Sequence, residues 1–102
     1  MSIRWKTLFS KIPAKVKFGK NTYEVLWVDS FPNEKTLGET RFDVKQIVLK
    51  TGDSAKETVH TYYHECIHAL EHEYKVGLTE TQVLALEKSL KDILKKGNVF
   101  NE

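Results

Sequence analysis

An α+β fold is what this 102-residue sequence predicts: a small three- to four-stranded, mostly antiparallel sheet packed on two helices. Two observations predict it. The first half carries short runs of β-branched and aromatic residues separated by turn signals. The second half switches to apolar residues at helical spacing, behind two helix-start signals. Strands and helices segregated in this way pack as separate layers of one domain, here residues 1–102.

The elements follow in order. Residues 16–18 and 22–28 flank Gly19-Lys20-Asn21, a loop with the residues a hairpin turn favours. Pro32-Asn33 marks the next turn. A second pair covers roughly residues 36–42 and 46–50, and Thr51-Gly52-Asp53 ends it. Ser54-Ala55-Lys56-Glu57 is a capping box, in which Ser54 and Glu57 satisfy each other's orphan amides at a helix start. From there Val59, Tyr63, Cys66, Ile67, Leu70 and Tyr74 recur at helical spacing and predict the core face. Lys75-Val76-Gly77-Leu78 breaks this helix, with Gly77 as the permissive residue. Thr79-Glu80-Thr81-Gln82 starts the next, whose apolar stripe is Val83, Leu84, Leu86, Leu90, Ile93 and Leu94. Lys95-Lys96-Gly97 closes it with charges suited to a helix C-terminus. The short connection predicts an antiparallel helix pair.

Composition narrows the class. Hydrophobic residues make up 40% and charged residues 29%, as in a soluble globular protein. The single cysteine, Cys66, cannot form an internal disulfide, which points to a reducing compartment. No run of about 18 apolar residues offers a membrane span. Residues 1–10 carry charges and lack the apolar stretch of a signal peptide, so the expected location is the cytoplasm. The net charge of +2 does not announce a nucleic-acid binder. Arg4, Lys6, Lys11, Lys15, Lys17 and Lys20 do precede the first acidic residue, Glu24. This basic arm can touch phosphates, although a solvated strand face is the plainer reading.

The chemistry sits in His64-Glu65-Cys66-Ile67-His68, an H-E-x-x-H pattern in the middle of the first predicted helix. Residues four apart share a helix face, with Cβ atoms about 5–6 Å apart. Two imidazoles so placed can reach one zinc ion at roughly 2.0–2.1 Å. Glu65 points to a neighbouring face, from which it takes a proton from a water on the metal and returns it to the leaving amine. Cys66 belongs with the core stripe as a buried structural thiol.

A catalytic zinc takes a third protein ligand, and the candidates are Glu80 and Glu87. Two arguments favour Glu87. It falls inside the apolar stripe, where an unpaired carboxylate is costly and a metal would explain it. It is also level with the histidines: for antiparallel helices joined near residues 75–79, His68 lies about 10 Å below the connection and Glu87 about 12 Å. Glu80 lies only about 1–2 Å below it on the same reckoning. An acidic residue in the first turn, complementing the helix dipole, suffices for Glu80; pairing with Lys91 is the plain alternative for Glu87. His72 is two turns from His64 and reads as a surface or supporting histidine.

The segment His64-Glu65-Cys66-Ile67-His68-Ala69, with Glu87 nineteen positions after His68, resembles the gluzincin metallopeptidases. The whole chain is similar to their minimal members and to small phage-type HExxH proteins. Gly38, then Gln46-Ile47-Val48-Leu49, then the HExxH helix follow the order of those families, and Ala69-Leu70-Glu71-His72-Glu73-Tyr74 looks like the stretch after the motif in the phage-type members. The resemblance implies one zinc per chain on His64, His68 and Glu87, with Glu65 as base and acid. It also implies a peptide or protein substrate laid along an edge strand, for which residues 46–49 are the matching segment. The oxyanion donor that larger gluzincins take from a further subdomain is missing, leaving Tyr62, Tyr63, Tyr74 and His72 as candidates. Some minimal gluzincins resemble proenzymes whose terminal segment fills the cleft; residues 99–102 could do this here, a frayed tail being the plainer reading. The rival expectations are a weakly active or inactive zinc-stabilised binding module, and a nucleic-acid accessory protein using the basic arm.

Overall fold

The computed structural model describes residues 12–96, with side chains described through residue 90. The element order is β1 (Lys15–Phe18), β2 (Asn21–Val28), β3 (Gly38–Arg41), β4 (Gln46–Lys50), α1 (Ala55–Tyr74) and α2 (Glu80–Lys96). This is the expected α+β architecture. The sheet order is β1-β2-β4-β3, antiparallel except for the central β2–β4 pair.

The β1–β2 hairpin pairs Phe18 with Asn21, so its loop is only Gly19-Lys20. Gly19 takes φ 61°, which a tight hairpin turn demands and only glycine adopts without strain. Along β2, Tyr23 and Val25 point inward while Glu24 and Leu26 point out. Tyr23, Val25, Ile47 and Leu49 join Phe18, Ile12, Tyr62, Tyr63 and Ala69 in the core. Each large side chain fully buried there contributes roughly 1.5–3 kcal/mol.

The strand order corrects one expectation. Gln46–Lys50 is not an edge: β2 flanks it on one side and β3 on the other. Its middle residues Ile47, Val48 and Leu49 are all buried, the mark of a strand covered on both faces. The edge beside α1 is β3.

Helix α1 starts where Ser54 Oγ accepts the Glu57 amide at 3.1 Å. It stops at Lys75, which takes the left-handed conformation at φ 55°, rather than at Gly77. The helix runs through Tyr74, so the cap falls on the next residue whatever its type, at a cost of about 1–2 kcal/mol for a non-glycine. Two residues of the expected core stripe, Leu70 and Tyr74, are exposed. The last turn of α1 is instead fastened by Glu73, whose carboxylate accepts from Tyr23 Oη at 2.7 Å and from Asn21 Nδ2.

Helix α2 begins with a complete capping box: the Gln82 amide donates to Thr79 Oγ1 at 3.1 Å, and the Thr79 amide to Gln82 Oε1 at 2.9 Å. It packs on α1 and not broadly on the sheet, so the layers run sheet, α1, α2. Val83 and Glu87 face inward, while Leu84, Leu86 and Leu90 of the expected stripe are exposed. Ile93 and Leu94 fall beyond the described side chains, as does Lys91, the partner considered for Glu87. No helix among the described residues is long and apolar enough to cross a membrane.

Candidate metal centre and cleft

His64 and His68 project from α1 on one face, with their Nε2 atoms 3.0 Å apart. Each ring has a carboxylate behind it. Glu87 Oε2 lies 3.0 Å from His64 Nδ1, and Glu71 Oε1 lies 2.9 Å from His68 Nδ1. An ionised carboxylate only accepts, so each contact places the ring proton on Nδ1. A neutral ring in that tautomer presents a bare lone pair at Nε2. Two such lone pairs, 3.0 Å apart and facing one another, repel unless a proton or a metal cation lies between them. Tetrahedral zinc with bonds of roughly 2.0–2.1 Å would hold its nitrogens about 3.3 Å apart, close to what is found.

The third group at this point is Glu80. His64, His68 and Glu80 each offer one ligand atom, all within 4.8 Å of one another, and together can hold a metal ion. Glu80 Oε1 lies 3.9 Å from His68 Nε2, and its side chain is 70% exposed, so it has room to turn toward the rings.

Glu80 reaches the histidines because of the helix connection. The Leu78 amide donates to Glu71 Oε2 at 2.9 Å. Glu71 sits one turn before the end of α1, so the chain has already descended that turn when α2 begins. The expectation that Glu80 stays level with the tip of α1 missed this fold-back. The seven residues from Glu80 to Glu87 then carry the chain about 10 Å further along α1. That brings Glu87 level with His64 and His60, one turn deeper than the Nε2 pair.

Glu87 is fully buried, as the sequence suggested. Its partners are His64 Nδ1 and, 2.7 Å from Oε1, His60 Nε2. It therefore stands behind the His64 ring, on the side away from the Nε2 pair. Carboxylates in that position fix ring tautomer and orientation at metal sites. Glu71 does the same for His68 while also tying down the connection.

Glu65 lies on the neighbouring face, largely buried, where Thr40 Oγ1 donates to its Oε1 at 2.8 Å. Thr40 comes from the edge strand β3, which runs close to α1. Gly38 permits this: a Cβ there would sit 2.6 Å from Thr61 Cγ2 and 3.2 Å from the Val48 carbonyl oxygen. Between β3 and α1 opens a cleft of about 330 Å³, lined among others by Leu37, Gly38, His60, His64 and Glu65.

The expected oxyanion donors do not line this cleft. Tyr62 and Tyr63 are buried and packed together at 5.6 Å between centroids. Tyr74 lies beside Gly19, and His72 stacks on Phe42 at 4.4 Å. Cys66 packs against the core, where burial pushes its thiol up to about 12, so it is neither ligand nor nucleophile at neutral pH. Sequence reasoning missed His60, Glu71 and Thr40. His60 and Glu71 carried a signal, since residues four before His64 and three after His68 share the side of the helix that bears the two histidines. Thr40 carried none.

Lys15, Lys17 and Lys20 are exposed on the β1–β2 hairpin. Arg4, Lys6 and Lys11 of the basic arm, and residues 99–102 considered for the cleft, lie outside the described residues. No protein family, curated protein or solved structure matches this chain.

Proposed function

We propose that the chain is a zinc-dependent, gluzincin-like metallopeptidase, with one zinc on His64, His68 and Glu80. The observation that carries this is the pair of Nε2 atoms 3.0 Å apart, each ring backed by a carboxylate at Nδ1. Two neutral imidazoles and one carboxylate make a donor set that suits zinc and leaves a fourth position open. When bound, zinc supplies a Lewis acid that polarises a water and the scissile carbonyl.

The chain's own residues do the rest. Glu65 takes the proton of the attacking water and passes it to the leaving amine, and Thr40 holds its carboxylate toward the cleft. The substrate is an extended peptide added to the outer edge of β3, which no described strand pairs, because Leu37 and Gly38 share the cleft with His64 and Glu65. Backbone pairing of this kind gives affinity with little sequence preference. The lone thiol of Cys66 favours a reducing compartment such as the cytoplasm.

Zinc-loaded wild type and Glu65→Gln, incubated with a peptide panel, test this reading. The variant keeps zinc and loses hydrolysis by about 10²–10⁴-fold. Equal cleavage by both would overturn the mechanism. A second reading, a zinc-stabilised binding module, draws on the absence of tyrosine from the cleft lining. It is favoured if loaded wild type binds peptides and leaves all of them intact.

A further inference from the structure

Glu87 has two carboxylate oxygens, and α1 brings a histidine to each. Oε2 serves His64. Oε1, equally buried, has no aligned hydrogen-bond donor among the described residues, yet His60 Nε2 lies 2.7 Å away. That is within the distance range of a charge-assisted N–H···O⁻ bond. A fully buried carboxylate with one oxygen unsupported is costly, so this contact bears on where Glu87 sits. His60 is also 41% exposed at its side chain and lines the cleft beside His64 and Glu65.

We propose that His60 is a positioning residue of the metal centre. It supports Glu87 from the cleft side, Glu87 holds the His64 ring, and His64 presents Nε2 to the metal. This rests on the metal reading above and extends it by one residue. The arrangement follows from helix geometry: His60 and His64 are one turn apart on α1, so one carboxylate from α2 can bridge them. A peptide entering the cleft meets His60, which supports the Glu87 carboxylate that holds the His64 ring.

The test is cobalt(II) binding to the full chain, read as affinity and as the absorption bands of the bound ion. Wild type is compared with His60→Ala and His60→Gln, with thermal unfolding of each as the folding control. Loss of a supporting partner costs 10–100-fold in metal affinity, and His60, one contact further out, should cost about tenfold. The bands should shift in His60→Ala and return toward wild type in His60→Gln, whose amide can replace Nε2. A folded His60→Ala with wild-type affinity and bands overturns the inference. Should His60→Ala fail to fold, His60→Gln is set against His60→Asn, whose amide is too short to reach Glu87. Tighter binding by the Gln variant supports the proposal, and equal binding overturns it. A wild type that takes up no cobalt overturns the metal centre and this inference together, whereas equal binding by folded variants overturns this inference alone.

Discussion

Glu87 faces Nδ1 of His64 at 3.0 Å and so stands behind the ring, on the side away from His68. This separates two roles that a buried glutamate on the second helix can play. A ligand would meet the Nε2 pair; a supporting carboxylate meets Nδ1.

Glu87→Gln should therefore weaken zinc binding by about 10–100-fold without abolishing it, because the amide keeps the shape and loses the charge. Competition against a chromogenic chelator reads this directly. Complete loss of zinc in a folded Glu87→Gln would make Glu87 itself a ligand.

Gly38→Ala should destabilise the fold by about 1–3 kcal/mol, as overpacking does. The added methyl meets Thr61 Cγ2 at 2.6 Å. Thr61 cannot easily turn away, since its hydroxyl donates to the Glu57 carbonyl at 2.9 Å. Thr61→Ser removes that methyl and should recover part of the loss in the double variant, as measured by denaturant unfolding. Additive losses would show that the two positions do not meet.

The Cys66 thiol, pushed up to about 12 by burial, should resist alkylating reagents at pH 8 in native protein and react at once after denaturation. Rapid native labelling would mean that the core face of α1 is open.

These outcomes rest on a fold that was largely legible in the sequence. All four strands and both helices fall where turn residues, capping boxes and periodicity put them, because those signals are local. The order of the strands is not local, yet it left a trace. Ile47-Val48-Leu49 is a continuous apolar run, which reads as a covered central strand and not as the edge strand that the resemblance implies. The shared face of His64 and His68 on α1 was legible from their four-residue spacing. Glu80 was not, because its height depends on the Leu78–Glu71 hydrogen bond across the connection, which no helix ruler includes. The exposed Leu84, Leu86 and Leu90 show the same limit: α2 turns a buried carboxylate to α1 where apolarity alone would have chosen leucines.

Acid should loosen the junction of α1 with the hairpin. Hydrogen bonds from Tyr23 and Asn21 hold the Glu73 carboxyl below its usual value of 4.5. A depressed folded value adds stability that is fully present above the unfolded pKa and is lost as pH falls through the folded one. Melting temperature should thus fall below about pH 4.5, and Glu73→Gln should be less stable at pH 7 with a shallower acid limb. Parallel acid limbs in the two proteins would remove Glu73 from the account.

The most direct test of the metal centre is zinc per chain by elemental analysis, on untagged wild type beside Glu80→Ala. Wild type should carry about one zinc and the variant far less. Wild type without zinc, even after zinc is added back, would contradict the metal centre, and full occupancy in Glu80→Ala would remove Glu80 from the ligand set.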